Sequence, residues 1–402
     1  MHRLLIFNAH VFGPVDDWER GWLLTEGKGI HLMGPGQPPE YPPGYVSQTI
    51  DAAGLSLLPG FIDLHVHGAV GHELMDASPD GLREMAQFYA QHGVTGFLPT
   101  TWTASREAIW RALELAAELT GPVPGGATIL GAHVEGPYLN REKCGAQDPQ
   151  FIRRAGQDEA LEFLDTGAVR LLALAPEFPE NLWLIDECVR RGVTVSAAHT
   201  AATYDQMLTA AAHGLRQATH SFNAMAGLGH REPGTVGAML ALPHIQCELI
   251  ADNIHVHPAV MKVLVEVNGP ERVILITDAI RGAGMPEGDY KIDERIVHIR
   301  DGAVRLPDGQ LAGSILTMER ALQNILHATQ LSLRAAWPMT SRNAARAIGL
   351  SARKGSLEVG KDADLVLFDS NFEVQVTIVE GEIVFVSPRL RVMGYGTKGL
   401  NF

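Results

Sequence analysis

The middle of the chain repeats one pattern, in which a short run of apolar and β-branched residues leads into polar residues and then a helical stretch. Eight such runs predict buried strands: LLPGFIDLHVHG, GVTGFLPTTWT, ATILGAHVEGP, VRLLALAPE, GVTVSAAHT, LRQATHSFNAM, IQCELIADNIHV and RVILITDAI. Helical stretches lie between most of them, and Ser78 and Ser105 stand where N-caps are expected. Eight strand–helix units in about 230 residues predict an α/β fold of the (β/α)8 TIM-barrel type. An open doubly wound sheet is less favoured, because no glycine-rich nucleotide loop follows the first strand.

Both ends of the chain carry short strand patterns of a different kind. Two runs precede residue 57, and ADLVLFD, FEVQVTIV and EIVFVS come near the other end. In FEVQVTIV, polar and apolar residues alternate from Glu373 to Ile378, which predicts a half-buried strand. We therefore expect residues 1–56 and 351–402 to pair into one small β-sandwich domain, with residues 57–350 forming the barrel. The tail from Arg389 onwards predicts only a terminal extension.

Composition and charge narrow the class of protein. The 402 residues are 46% hydrophobic and 19% charged, which is a globular composition with an ample core. A formal net charge of -14 does not favour nucleic acid or an anionic membrane as partner, and an anionic substrate would need a local cationic pocket. The three cysteines, Cys144, Cys188 and Cys247, are far apart and odd in number, so no disulfide framework follows. With no apolar stretch of membrane-spanning length and no signal peptide pattern, we expect a soluble cytoplasmic protein.

Polar residues that can bind metals follow the predicted strands. His65 and His67 are two apart in the first run and would point to the same side of a strand, although an H-x-H motif alone is equally compatible with hydrogen-bonded histidines. Other strand ends carry Glu135, His199, His220 and Asp278. In a barrel, the carboxyl ends of the strands meet at one mouth, which is the catalytic face. Strand ends from five different units should therefore converge on one site.

The residue types indicate the chemistry of that site. Imidazoles with a carboxylate suit zinc, or iron and related divalent ions. Glu135, His199 and His220 supply three ligands and leave a fourth position for water, which is the layout of a catalytic site. A bound metal lowers the pKa of water and polarises a carbonyl, and Asp278 can exchange the proton with a leaving amine. The sequence therefore predicts metal-assisted hydrolysis of an amide-like bond.

At this point the chain resembles the amidohydrolase superfamily, on the H-x-H pair, the histidines of strands five and six and the aspartate of strand eight. GKDADLVLFD, at residues 360–369, resembles that superfamily's return into its small β domain. Seven further strings resemble the family of N-acetylglucosamine-6-phosphate deacetylases: HVEGPYLN, AAHTAA, THSFNAM, GHREPG, DNIHVHP, TDAIRGAGMPEGDY and LAGSILTMERAL. The resemblance implies hydrolysis of N-acetylglucosamine 6-phosphate to glucosamine 6-phosphate and acetate.

The resemblance also implies roles for single residues. The catalytic ion, expected to be Zn²⁺ with Fe²⁺ as the alternative, would be held by Glu135, His199 and His220. Asp278 would be the general acid and base, and His65 and His67 could hold a second ion with Glu135 as the bridge.

The substrate phosphate would meet the backbone of Asn223 and Ala224, together with the side chain of Arg231. Arg231 would reach over from a neighbouring subunit, which implies a homodimer, and His255 would contact the sugar or its phosphate. An arginine fork suits a phosphate dianion, whereas a plain ion pair of Arg231 with Glu232 or another surface carboxylate is the simpler alternative.

The chain departs from the family at Gln147, where the family usually places a histidine that helps to polarise the substrate carbonyl. Glutamine can still donate an N–H to an oxyanion but carries no charge, so the rate or the accepted substrate can differ. Alternatively, Gln147 is a surface loop residue and a nearby histidine such as His72 serves instead. Two other functions stay open: deacetylation of another amino sugar phosphate such as the galacto epimer, and weakly active sugar-phosphate binding.

Overall fold

Eight parallel strands form a nearly closed barrel in the computed structural model, which describes residues 2–292 and 295–389. Every predicted run contains one barrel strand, and the strands are Phe61–Val66, Val94–Thr101, Ala132–Glu135, Val169–Leu174, Thr194–Ala197, Gln217–Ala218, Gln246–Ile250 and Val273–Ile276. Each strand pairs in parallel with the next. Between the eighth and the first strand, the Asp278 N–H donates to His65 O at 2.9 Å and the His67 N–H donates to Ala279 O at 2.8 Å. The predicted barrel class is confirmed.

Helices follow all eight barrel strands and cover the outside of the barrel. They are Pro79–Gln91, Arg106–Leu119, Gln157–Asp165, Pro179–Arg190, Tyr204–His213, Gly234–Ala241, Pro258–Asn268 and Met318–Thr329. The two predicted caps are confirmed, since the hydroxyl of Ser78 accepts from the Gly81 N–H and that of Ser105 from the Ala108 N–H. Short helices at Leu333–Ala336 and Arg342–Ala347 lead back to the chain ends, and 3-10 turns lie at Leu74–Asp76, Arg141–Lys143, Pro270–Arg272 and Trp337–Thr340.

The two chain ends together build one eight-stranded sheet. Its strands are Leu4–Phe12, Asp17–Glu26, Gly29–Pro35, Gln48–Asp51, Ser56–Pro59, Leu365–Phe368, Val374–Val379 and Glu382–Val386. Ile30 and Val386 lie on the strands at opposite ends of the sheet but share one apolar cluster, so the sheet curls around its own core. The exact domain limits at residues 56 and 351 stay a prediction, and residues 390–402 of the predicted extension lie outside the described part of the chain.

The junction between sheet and barrel falls inside the first predicted run. Ser56–Pro59 belongs to the sheet of the chain ends, and Phe61–Val66 belongs to the barrel. Gly60 stands between them and donates its N–H to Asp364 O at 2.9 Å. A Cβ atom at this position would lie 2.1 Å from Thr95 Cγ2, so the close approach of the two units requires glycine.

One expectation about the small domain is wrong. The strand Val374–Val379 is buried on both faces, and its polar members Gln375 and Thr377 are 5% and 0% exposed. Val376 and Ile378 pack into the core of the small domain, whereas Val374 joins the barrel core. Protein covers both the apolar and the polar side of this strand, so the alternation does not mark a side that faces water. The Gln375 amide donates instead to Asp369 Oδ2 at 3.3 Å.

A three-stranded antiparallel insertion follows the eighth barrel strand. Its strands are Gly288–Ile292, Arg295–Arg300 and Ala303–Arg305, and its apolar side chains pack with Trp102 and Ala146 at the mouth of the barrel. Short strand pieces at Gly68–Ala69, His72–Glu73 and Thr128–Ile129 complete the described secondary structure. In the described ranges, the helices are all too short or too polar to cross a membrane.

Candidate metal centre

Three of the predicted site residues stand two positions beyond the end of their strands, in unusual backbone conformations. His199, His220 and Asp278 have φ values of 44°, 31° and 50°, in the left-handed region that non-glycine residues rarely adopt. These turns bring the three side chains into the cavity at the barrel mouth. Strain of this kind persists where the surrounding structure holds the residue in a functional position.

One cluster of ligand atoms forms around a single oxygen of Glu135. The Oε1 atom lies 3.2 Å from His199 Nε2 and 3.0 Å from His220 Nε2, and these two nitrogens are 3.2 Å apart. All three side chains are buried. The cluster therefore has the three ligands that the sequence predicts for a catalytic ion.

A second cluster lies on the other side of the same carboxylate. His65 Nε2 and His67 Nε2 are 3.3 Å apart, and they lie 3.5 and 3.4 Å from Asp278 Oδ1. The Glu135 Oε2 atom is 3.4 Å from His65 Nε2 and 3.2 Å from His67 Nε2. Glu135 thus stands between two groups that could each hold a metal ion, with one oxygen toward each.

The hydrogen bonds on the far sides of two imidazoles show that a cation fits this arrangement. His199 Nδ1 lies 2.8 Å from Lys143 O, and His65 Nδ1 lies 3.3 Å from Glu248 Oε2. In the neutral ring, a proton on Nδ1 leaves a lone pair on Nε2. Both Nε2 lone pairs then face oxygens of Glu135, which are also acceptors. Facing acceptors at this distance are stabilised by a cation between them, so the donor set fits a divalent metal.

The charges within the site shift the pKa values of its members in opposite directions. Burial alone would lower the pKa of His65, but the attraction of Glu135 and Asp278 raises it well above its usual value. Burial would raise the pKa of Glu135, yet His65, His199 and His220 hold it well below its usual range. The pKa of Asp278 is lowered for the same reason, because the two histidines of its cluster outweigh burial. A field that favours protonated imidazole also favours a bound divalent cation.

Gln147 lies inside the site and is not a surface loop residue. It is 2% exposed, its amide Nε2 donates to Glu135 Oε2 at 2.7 Å, and its Oε1 accepts from the Thr103 N–H at 2.7 Å. His72 faces Glu84 Oε2 at 3.2 Å and does not line the cavity at the site. The surface-loop alternative is therefore wrong, and the structure gives His72 no position at the site.

A cavity of about 330 Å³ opens over the two clusters, at the lower end of the size range of small-molecule sites. Asn223, Ala224 and His255 line it together with His67, Glu135, Gln147, His199, His220 and Asp278. The Asn223 N–H already donates to His220 O, and His255 Nδ1 lies 2.6 Å from Asp252 Oδ2.

Arg231 is exposed and does not line the cavity of its own chain. The alternative ion pair with Glu232 is absent from the described contacts, in which Glu232 Oε1 accepts from the N–H groups of Tyr204 and Gly234.

Two residues at the site carry no sequence signal that would have identified them. Glu248, inside the seventh barrel strand, contacts His65, and Trp102, after the second, stacks on His67 with ring centroids 3.8 Å apart. Glu248 is one of several polar residues in the run IQCELIADNIHV, so its position in that run did not single it out. A buried carboxylate within a barrel strand needs a partner.

The barrel, its small domain and the shared glutamate define a metal-dependent hydrolase. The model of the amidohydrolase family matches residues 56–384, so the chain belongs to the amidohydrolase family, and membership implies a divalent metal. The chain is 40% identical to N-acetylglucosamine-6-phosphate deacetylase of Vibrio furnissii, over 85% of this chain and 87% of that protein. It is 39% identical to N-acetylgalactosamine-6-phosphate deacetylase of Escherichia coli O157:H7, over 81% and 87%.

A solved structure is also similar to this chain. It is a variant of N-acetyl-D-glucosamine-6-phosphate deacetylase from Mycobacterium smegmatis in complex with N-acetyl-D-glucosamine-6-phosphate. The TM-score is 0.88 at 31% identity, covering 96% of this chain and 100% of that one.

Proposed function

We propose that this enzyme hydrolyses the N-acetyl group of N-acetylglucosamine 6-phosphate to give glucosamine 6-phosphate and acetate. The observation that carries the proposal is the shared carboxylate of Glu135, with two histidines on each of its oxygens and Asp278 beside one pair, at the floor of the cavity. The similarity to deacetylases of amino sugar phosphates supports the choice of substrate.

Glu135, His199 and His220 would hold the catalytic ion, and His65 and His67 would hold a second one with Glu135 as the bridge. We propose Zn²⁺, and Fe²⁺ is the other ion that these ligands accept. When bound, a divalent ion here lowers the pKa of a water molecule and polarises the amide carbonyl.

Asp278 and Gln147 supply the remaining groups of the reaction. The lowered pKa of Asp278 keeps its carboxylate ionised, so it can accept a proton from the attacking water and return it to the amide nitrogen of the leaving amine. The Gln147 amide holds Glu135 Oε2 with one N–H, and its second N–H is available to the carbonyl oxygen of the acetyl group. Gln147 donates without a charge, in contrast to the family histidine.

The substrate phosphate would be bound at the turn that carries Asn223 and Ala224. Because the Asn223 N–H is engaged within the turn, the Ala224 N–H is the backbone donor that we assign to the phosphate. Arg231 would come from the partner subunit of a homodimer, in agreement with its exposed position outside its own cavity, and His255 would contact the sugar or phosphate. We place the enzyme in the cytoplasm, where three unpaired cysteines stay reduced.

The direct test is the release of glucosamine 6-phosphate by the metal-loaded protein, with the galacto epimer and the unphosphorylated sugar as competing substrates. We expect fast turnover of the phosphorylated glucose-type sugar alone. The variant Asp278→Asn should lose at least about 100-fold in kcat, the contribution of a general acid–base group, and keep the ion that Glu135, His199 and His220 would hold. If no substrate is turned over by protein with verified metal, the proposed substrate is wrong.

A further inference from the structure

Glu248 is a fully buried carboxylate at the centre of the barrel. It lies on the seventh barrel strand and is 0% exposed, and no lysine or arginine among the described residues forms an ion pair with it. An ionised carboxylate in such a place is costly unless it is hydrogen-bonded or faces a cation. The hydrogen-bond partners of Glu248 therefore indicate its role.

Those partners lead to both halves of the candidate metal centre. Oε2 lies 3.3 Å from His65 Nδ1 and accepts the backbone N–H of His220 at 3.3 Å. Oε1 accepts from the Gln217 side-chain amide. The carboxylate is thus anchored by two N–H donors on the sixth unit and directed at the outer nitrogen of His65.

We propose that Glu248 is the positioning residue of the second ion site: its carboxylate accepts a hydrogen bond from the Nδ1–H of His65, fixes the ring, and leaves Nε2 free to bind the ion. This inference rests on the proposed second ion beside Glu135. A carboxylate behind a metal-binding histidine holds the required tautomer and makes the imidazole a stronger ligand.

The other three histidines are held differently, so the effect should be confined to one ion. His199 Nδ1 faces the neutral carbonyl of Lys143. His67 Nδ1 has no hydrogen-bond partner among the described residues, and its ring is oriented by stacking on Trp102. His220 Nδ1 also has no partner among the described residues, and Glu248 contacts His220 only through the backbone N–H. Of the two ion sites, only the one containing His65 has a carboxylate behind a ligand in the described part of the chain.

The test is a count of bound ions with E248Q, which keeps the shape and removes the charge. Metal-free protein is titrated with Zn²⁺ by calorimetry, bound metal is counted by mass spectrometry, and Co²⁺ absorption spectra follow each site. Wild type should bind two ions. E248Q should bind the first with unchanged affinity and the second about 10- to 100-fold more weakly. The control E159Q removes the charge of a carboxylate outside the barrel, which accepts hydrogen bonds from Tyr138 and Arg153. It should bind both ions as wild type does.

Circular dichroism checks that each variant is folded. If E248Q does not fold, E248D replaces it, because aspartate keeps the charge on a shorter side chain. E248D should reduce the affinity for the second ion less than E248Q. Equal affinity of the folded variant and wild type for both ions would overturn the role of Glu248, as would a wild type that binds a single ion. Turnover is measured separately. If the second ion binds in a way that depends on Glu248 but no deacetylation occurs, the proposed substrate is wrong and the role of Glu248 still holds.

Discussion

Lys354 offers a sharp test of how a buried ion-pair cluster stabilises the returning end of the chain. Its side chain is 4% exposed, and its Nζ lies 2.6 Å from Asp364 Oδ2, 3.0 Å from Asp362 Oδ2 and 3.9 Å from Glu380 Oε1. Asp362 and Glu380 have other cations, Arg353 and Lys28, but Asp364 has no second cation among the described residues. The substitution Lys354→Met keeps the apolar stem and leaves the Asp364 carboxylate buried without a counter-charge.

The size of the effect follows from what remains around Asp364. Breaking a buried ion pair by removing one partner costs about 3–5 kcal/mol. Asp364 Oδ1 keeps the Glu380 N–H at 2.9 Å, so we expect the lower end, about 3 kcal/mol at pH 8. That is a large part of a typical folding free energy of about 5–15 kcal/mol.

The loss should shrink in acid, and the pKa shifts give the sign. Burial raises the pKa of Asp364 even against the attraction of Lys354. Burial alone would lower the pKa of Lys354, but its carboxylates raise it. Without the lysine, the folded pKa of Asp364 rises further above the unfolded value of about 3.9, so the folded variant binds a proton more tightly than the unfolded chain. The variant therefore regains stability as the pH falls toward 4.

Urea unfolding at pH 8 and pH 5 measures both effects. The control Arg353→Met removes a cation that is 63% exposed, and it should change the free energy of unfolding by less than about 1 kcal/mol. The electrostatic account would be refuted if K354M lost less free energy of unfolding than the control at pH 8. It would also be refuted if the loss in K354M were larger at pH 5 than at pH 8.

Three further outcomes are expected. In the folded protein a disulfide reagent should label Cys144 first, since burial raises the pKa of Cys188 to about 12 and that of Cys247 to about 11; fast labelling of either buried thiol below pH 9 would contradict the packing. Removing metal with a chelator should abolish turnover and lower the unfolding midpoint, both reversed by Zn²⁺; at a free ion concentration of 100 times Kd the stabilisation is about 2.7 kcal/mol. Gln147→Leu should lower kcat/KM by at least about 100-fold, because the substrate carbonyl loses the N–H donor that would stabilise its developing negative charge; an unchanged kcat/KM would show that Gln147 takes no part in the reaction.

Local signals in the sequence predicted the repeating part of the fold well. A strand or a capped helix depends on residues a few positions apart, and the caps at Ser78 and Ser105 formed as those short-range patterns indicate. The same signals misread the strand Val374–Val379, because they do not tell whether a polar face meets water or a second buried surface. They also missed the insertion after the eighth strand, whose apolar residues find partners only at the barrel mouth.

The site could be predicted as a set of strand ends but not as a network. Barrel topology alone brings those ends together, whereas the contact of His65 with Glu248 joins residues 183 positions apart in the chain. The orientation of Gln147 also depends on the Thr103 N–H, 44 positions away. Such contacts depend on side-chain direction across the barrel, which no periodic pattern encodes.

The ligand residues also close the barrel, and this couples the metal centre to the fold. Asp278 and His67 contribute side chains to one ion group, while their backbone N–H groups make the hydrogen bonds between the eighth and first strands. An ion that binds these side chains would hold the same seam together and would favour the closed barrel. The left-handed turn at Asp278 lies at this seam, so the strain in the backbone is opposed by two interactions on the same residue. Loss of the ion should therefore loosen the seam between the first and last strands before it affects the rest of the barrel, and hydrogen exchange at the Asp278 and His67 amides should report it.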